Sequence, residues 1–123
     1  MRIFLSRWFQ RFARQGGIGQ AVLYEAVERA EKGQIDADLG GGVIKQRIAR
    51  PGQGRSKGFR TIVFYRRETK AFFIYGFAKG RRANVDKDEQ ERFKEAAKYI
   101  LALTEKQLGK LLERGDFGEL KEP

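Results

Sequence analysis

Positive charge is concentrated in one stretch of this 123-residue chain. Residues 43–84 carry twelve of the 26 Lys and Arg residues and one acid, Glu68, a net of +11 in a chain whose total is +10. Apolar β-formers are interleaved with these cations, which is not typical of a disordered tail. They are Val43, Ile44, Ile48, Phe59, Ile62, Val63, Phe64, Phe72, Phe73, Ile74 and Phe77. The pattern predicts folded strands with a cationic surface, for which nucleic acid is the first ligand to test.

Composition excludes several kinds of chemistry. The chain has no Cys and no His, which rules out disulfides, thiol nucleophiles, histidine bases and the usual zinc sites. Any catalysis must therefore use Lys, Arg, Tyr or carboxylates. Asp36 and Asp38 stand in an unsupported Gly-rich stretch, so we predict no metal site and no cofactor. The length and the 41% hydrophobic content predict a single domain over residues 1–123.

The N-terminal residues 1–33 are predicted to form a helical hairpin. Ser6 is the expected N-cap of the first helix, and Gly16 and Gly17 are expected to end it. The second helix is expected to place its charged residues, Arg29 among them, on the face turned away from the core. The start lacks the apolar run of a signal peptide or membrane span, so a cytoplasmic protein without membrane contact is expected. A mitochondrial presequence or membrane-surface helix is the alternative.

The C-terminal residues 86–114 are also predicted to be helical. The first of these helices is expected to run to residue 103 and to be capped by Asn84 or Asp86. The second is predicted by a capping box that begins at Thr104. Residues 115–123 are expected to be a loose acidic tail.

The basic residues 43–79 between these helical regions are predicted to form a β-sheet. Three runs rich in Val, Ile, Phe and Tyr indicate strands at 43–49, 59–67 and 71–79. A Pro and three Gly among cations predict an exposed loop at 50–58. The hairpin between the second and third strands is inferred from spacing, because its turn has no Gly or Asn-Gly. Residues 36–42 are interpreted as a linker.

The strand cations suggest RNA cleavage by the neighbouring 2′-hydroxyl. Lys45 and Arg47 are two residues apart on a strand and so share one face. Adjacent positive charge lowers the pKa of a lysine, which makes Lys45 a candidate base, while Arg60 is the candidate for stabilising the transition state. The simpler interpretation of each cation is plain contact with phosphate.

Further candidates flank these three residues. Lys79, Arg81 and Arg82 follow the third strand, where either a functional site or a solvated turn is expected. Tyr75 is a candidate for stacking an RNA base, with core packing as the alternative. The loop cations are candidates for contacts with the nucleic-acid backbone; they are Arg50, Arg55 and Lys57.

The basic region also carries the motifs of a known family. These are GVIKQRIARPGQGRS at 42–56, GFRT at 58–61 and FIYGFAK at 73–79. The chain resembles toxins of the RelE/ParE superfamily, in particular the HigB-like branch. This resemblance implies a small α/β (α+β) fold, in which an N-terminal helix pair packs on a twisted antiparallel sheet of three to four strands. It also implies a type II toxin–antitoxin system with an antitoxin encoded nearby.

The resemblance assigns roles to individual residues. Lys45 and Arg47 match the two basic strand positions of ribosome-dependent nucleases. Arg60 matches the arginine that follows an aromatic residue, which here is Phe59. Lys79 and Arg82 match the later basic cluster. These five residues are therefore the predicted catalytic set.

Two positions depart from the RelE pattern. Gly80 falls at about the sequence position where RelE has a catalytic arginine, and Arg81 is next to it. Asp86 falls at about the position of a tyrosine in RelE. The proton donor is thus left open between Tyr75 and Arg81.

Three functions remain open at this point. The leading hypothesis is a toxin that cleaves mRNA on the ribosome, because relatives similar to RelE cut mRNA in the ribosomal A site. The alternatives are a ParE-like inhibitor of DNA gyrase and an RNA-binding module without catalysis. The resemblance implies a helix-turn-helix antitoxin, through which alone the complex would bind operator DNA. An acidic antitoxin segment is expected to cover the basic surface.

Overall fold

The computed structural model describes residues 1–80, 82 and 84–121, which form a mixed β-sheet covered by helices on both faces. The strands are β1 (Arg2–Ser6), β2 (Ala37–Gly40), β3 (Val43–Ile48), β4 (Phe59–Arg66), β5 (Lys70–Ala78) and β6 (Phe117–Glu119). The helices are α1 (Arg7–Gly16), α2 (Gln20–Glu31), α3 (Lys87–Ile100) and α4 (Glu105–Arg114), with a short 3-10 turn at Arg55–Lys57.

The strands lie in the order β2, β3, β4, β5, β1, β6. The first four form an antiparallel meander, which confirms the hairpin between β4 and β5. β1 runs parallel to β5, and β6 runs antiparallel to β1. The predicted α+β class is confirmed. The predicted sheet is wrong in two respects, because the sheet is mixed and has six strands in the described part of the chain.

Three strands escaped the sequence prediction for physical reasons. In β1, Ile3 and Phe4 are buried on opposite faces of the sheet, so the strand has no polar alternation to distinguish it from a helix. β2 is a short edge strand in the stretch interpreted as a linker. The prediction of a loose tail is also wrong for residues 115–120: Phe117 is buried, and the Leu120 amide donates to the Ile3 carbonyl at 2.9 Å.

The predicted helix boundaries are largely confirmed. The Ser6 hydroxyl caps α1 by accepting from the Phe9 amide, and Gly17 ends this helix with a φ of 65°. Asp86 caps α3, and the box beginning at Thr104 caps α4. α3 ends at Ile100, earlier than predicted. No helix in residues 1–80, 82 and 84–121 combines the length and apolar character needed to cross a membrane.

Two hydrophobic cores lie on opposite faces of the sheet. α1 and α2 cover one face, where Phe9 and Leu23 pack against strand residues such as Phe73. α3 and α4 cover the other face, where Ala97 and Leu108 are fully buried. β4 and β5 contribute side chains to both cores and are the central strands of the sheet.

The pairing of β1 ends halfway along β5. Its register runs from Arg2 opposite Lys70 to Leu5 opposite Phe73, after which α1 begins and leaves the sheet. Among the described residues, no strand pairs with 74–78 on the side away from β4. The second half of β5 therefore has a free edge.

Candidate active site

Three predicted site residues meet on β3 and β4. Arg47 lies directly opposite Arg60 in the antiparallel register, and Lys45 lies opposite Ile62. Residues two apart on a strand share a face, so Lys45, Arg47 and Arg60 project together on the face covered by α3 and α4. This confirms that Lys45 and Arg47 share one surface. We call these three residues the strand cluster.

Gly58 sets the approach of β4 to β3. A Cβ atom at this position would lie 1.8 Å from the Ile48 carbonyl oxygen, so a larger residue would force the strands apart. The Gly-rich loop therefore returns to the sheet at a point that only glycine fits. Because β4 begins immediately afterwards, Arg60 is fixed by a strand rather than by the loop.

Arg60 is a buried cation with an unused donor. Its residue surface is 5% exposed, and its Nη1 atom has no hydrogen-bond partner among the residues that the structure describes. Burial, and next the charge of Arg47, lower the pKa of the Arg60 guanidinium. A buried guanidinium donor without an acceptor destabilises the folded protein. Such a donor is suited to an anionic ligand.

Lys45 is held by a residue that the sequence had assigned elsewhere. Its Nζ atom donates to the Asn84 Oδ1 atom at 2.9 Å. Since Asp86 caps α3, Asn84 is free to hold the lysine. Burial is the first cause that lowers the pKa of Lys45, followed by the charges of Arg60 and Arg47. The direction agrees with the sequence prediction, while burial as the leading cause was not foreseen.

The backbone of Arg47 is fixed by residues that sequence reasoning missed. Asp36 accepts from the Arg47 amide at 2.7 Å, and the Arg29 Nη2 atom donates to the Arg47 carbonyl. Arg29 was predicted on the exposed face of its helix, but it is buried and also pairs with Glu25 at 2.8 Å. That prediction is wrong because an arginine can cross an interface to reach a strand carbonyl. The spacing of Asp36 from Arg29 gave no local signal of this contact.

Arg82 and Tyr75 occupy a different environment from the strand cluster. Arg82 forms an ion pair with Glu89 and contacts the Tyr75 hydroxyl at 3.4 Å. The hydrogen bond to Glu89 raises the pKa of Arg82, and the same bond lowers the pKa of Glu89 to about 2. The Arg82 guanidinium also lies 5.3 Å from the centre of the Phe77 ring. Arg82 is thus already engaged within the protein.

Four of the remaining predicted site residues lie in two different places, and the fifth is outside the described residues. Arg50, Lys57 and Lys79 line a shallow depression with Gly80, and we call these three cations the loop cluster. Arg55 instead points towards α2, where it lies 3.7 Å from Glu25. Arg81 lies outside the described residues.

The strand cluster is positively charged. Within the described part of the chain, none of its three side chains forms an ion pair. Asp36, the acid whose charge acts on Lys45 and Arg60, is already bound to Arg29 and to the Arg47 amide. The arrangement is chemically fit to bind a phosphate and to hold a lysine that loses its proton more readily than usual.

The family of the chain follows from a comparison over almost its whole length. Residues 1–120 match the family model described as the RelE toxin of the RelE/RelB toxin–antitoxin system. A search of curated proteins found no significant match. The matched residues include both the strand cluster and the loop cluster, together with every strand and helix described above. The chain therefore belongs to the RelE toxin family and is a toxin of a toxin–antitoxin system, with a cognate antitoxin as its partner.

Proposed function

We propose that this toxin is a ribosome-dependent endoribonuclease that arrests translation by cleaving mRNA. The observation that carries the proposal is Arg60, a buried cation with a free donor beside Lys45 and Arg47. Leaving such a group unpaired has a cost in stability, and functional sites are where such costs are commonly found. The RelE family membership supports the same chemistry.

Lys45 acts as the base in the proposed reaction. Its neutral amine takes the proton from the 2′-hydroxyl, and the 2′-oxygen attacks the adjacent phosphorus. The bond from phosphorus to the 5′-oxygen then breaks, which leaves a 2′,3′-cyclic phosphate and a 5′-hydroxyl. The departing 5′-oxygen takes a proton, for which Tyr75 and Arg81 are the candidate donors. The lowered pKa of Lys45 gives a larger fraction of neutral amine than an ordinary lysine has at the same pH.

Arg47 and Arg60 stabilise the charge that develops during this step. Attack by the 2′-oxygen produces a pentavalent phosphorane with more negative charge on its equatorial oxygens than the starting phosphodiester has. Guanidinium donors fixed on adjacent strands need little reorganisation to meet that charge. The guanidinium of Arg60, which lies opposite Arg47 in the register, supplies one of these donors.

The loop cluster and the antitoxin complete the proposed function. The cations of the loop cluster contact backbone phosphates of mRNA or ribosomal RNA on either side of the cleaved bond. The antitoxin is of the helix-turn-helix type, and an acidic segment of it covers the strand cluster. Because that contact is electrostatic, its association rate falls as salt concentration rises.

To test the proposal, expression of the toxin is induced in a bacterium with and without the neighbouring antitoxin gene, and new mRNA 5′ ends are mapped. New ends inside translated codons, which disappear in the Lys45→Ala and Arg60→Ala variants, are the expected result. Arrested growth with intact mRNA and a DNA-damage response would instead indicate gyrase inhibition. Equal arrest by the wild-type protein and by both variants would refute the catalytic assignment of these residues.

A further inference from the structure

An aromatic groove runs along the free half of β5. It encloses about 480 Å³ and lies between α1 and the end of the strand. The residues that matter for its chemistry are Trp8, Phe12, Arg50, Phe59, Tyr75 and Phe77. Its volume is in the range of pockets that bind small organic ligands.

The fold opens this groove by ending β1 early. The Ser6 hydroxyl donates to the Ile74 carbonyl at 3.0 Å, and α1 then turns away from the sheet. At Gly76 a Cβ atom would lie 2.5 Å from the Phe12 ring, so glycine allows that ring to lie directly against the strand. The groove is therefore a built feature of the fold with a rigid aromatic floor.

Trp8 is the most exposed of the aromatic side chains that line this groove. Its residue surface is 43% exposed, although its ring is held by neighbours. The Phe12 ring stacks on it at 5.3 Å with an interplanar angle of 16°, and the Tyr75 ring lies 4.6 Å away. Because these contacts already restrict the indole, a planar ligand can stack on it with little loss of conformational freedom.

The surroundings of the groove favour a negatively charged ligand. α1 has exposed arginines and no acidic residue, and Arg50 lies on the rim with its guanidinium 5.0 Å from the centre of the Phe59 ring. The groove also borders the strand cluster, because Phe77 lies opposite Arg60 in the register of β4 and β5. Aromatic faces combined with cations are the usual site for single-stranded nucleic acid.

We propose that this groove binds one base of single-stranded RNA, stacked on Trp8, next to the nucleotide whose phosphate contacts Arg60. The choice of RNA as the ligand rests on the proposed function. Stacking accepts any base, so the groove positions the RNA strand for cleavage without reading a particular sequence. Trp8 and Tyr75 are positioning residues in this scheme, while Lys45 remains the reacting group.

Trp8 reports on its own occupancy, because it is the only tryptophan of the chain. The experiment adds a short single-stranded oligouridylate to the purified toxin and follows the intrinsic fluorescence. Quenching by the oligouridylate, but not by an abasic oligomer of equal length and charge, is the expected result. Equal quenching by the abasic oligomer, or no quenching by either, would overturn the proposal. Quenching by oligoglutamate alone would also overturn it, and would assign the groove to an acidic protein segment.

Variants separate stacking from charge. With a labelled oligouridylate, Trp8→Leu is expected to weaken binding by about tenfold without changing its salt dependence, since stacking involves no released counterion. Arg50→Ala is expected to reduce the slope of log affinity against log salt by about 0.7. Tyr99→Ala is the matched control, because Tyr99 is 65% exposed on α3 and away from the groove. An unchanged affinity in Trp8→Leu would overturn the proposal.

Two further measurements keep this result independent of folding and of catalysis. Trp8→Phe retains a stacking face, so it is expected to restore most of the binding that a folded Trp8→Leu variant loses. Quenching by RNA in a toxin that leaves mRNA intact in cells would support the groove while refuting the proposed nuclease. If the Trp8→Leu variant cleaved mRNA normally and bound the oligouridylate as tightly as the wild type does, the proposed role of the groove alone would be refuted.

Discussion

The two ends of the sheet differ in whether their cations form ion pairs. At the start of β1 and β5, Arg2 donates to Glu119 at 2.8 Å and to Glu105 at 2.7 Å, and Lys70 lies 2.8 Å from the same Glu105. At the other end, the strand cluster has no ion pair to any described residue. One end fastens the C-terminal segment to the sheet, whereas the other leaves charge available.

This contrast separates structural cations from functional ones. The chain contains 16 acidic residues, so the unpaired end does not result from a shortage of acids. Unpaired cations that repel one another raise the free energy of the folded state, and an anionic ligand relieves that cost. We therefore expect substitutions at the unpaired end to change activity, and substitutions at the paired end to change stability.

The largest effect is expected for Lys45→Arg, which keeps the charge but removes the base. Loss of a general base typically slows a reaction by about 10²–10⁴-fold. In the wild type the rate is expected to rise with pH as Lys45 loses its proton. It should level off above the pKa of Lys45, which lies below 10.5 in the folded protein. The measurement is the single-turnover cleavage rate of the wild type and of Lys45→Arg on programmed ribosomes, between about pH 6 and about pH 9.

The control for this pH dependence is built into the composition. The chain has no His and no Cys, so no side chain of those types adds a step near neutral pH. Lys45→Arg should therefore give a rate that is low and flat over the same range. A rate that rises with pH equally in the variant and the wild type would exclude Lys45 as the base.

Arg60→Met is expected to separate activity from stability. Loss of a fixed donor to the transition state should slow cleavage by about 10²–10³-fold. The variant should also be more stable by about 1 kcal/mol, or about 4 °C in melting temperature, because an unpaired buried cation is removed. Arg66→Met, an exposed position on the same strand, is the matched control and should alter neither. A less stable Arg60→Met variant would contradict the view that Arg60 is retained for ligand binding.

The sequence predicted the parts of this molecule that depend on local patterns. The caps at Ser6 and Thr104 and the shared face of Lys45 and Arg47 are each set by residues within a few positions of one another. Such features follow from helix and strand periodicity alone. The helices and the shared face of Lys45 and Arg47 can therefore be predicted from the sequence.

The parts that were missed depend on contacts between distant residues. β1 forms because it pairs with β5, and β6 forms because it pairs with β1. Neither segment has a local sequence pattern strong enough to predict a strand. The contact of Lys45 with Asn84 likewise joins residues 39 positions apart. The difference between an engaged Arg82 and an unpaired Arg60 rests on the same kind of contact. Burial and pairing, which distinguish them, are properties of the fold.

Arg82→Gln is expected to reduce cleavage less than Arg60→Met does. Its guanidinium is engaged by Glu89, so its removal disturbs the support of α3 rather than a reacting group. Glu89→Gln breaks the same ion pair while leaving Arg82 charged, and we expect both variants to lower the melting temperature. A loss of cleavage in Arg82→Gln as large as that in Arg60→Met, with Glu89→Gln fully active, would place Arg82 in the catalytic set.

The smallest effect is expected for Arg2→Ala at the paired end of the sheet. Arg2 and Glu119 are each about a third exposed in their side chains, so water screens their attraction and the loss should not exceed about 1 kcal/mol. Cleavage per folded molecule should be unchanged, because the strand cluster lies at the opposite end of the sheet. The Leu120 amide, which bonds to the Ile3 carbonyl, should exchange its hydrogen faster as β6 loosens. High salt should erase the stability difference, and a cleavage defect that persists in fully folded Arg2→Ala would break the division between the two ends.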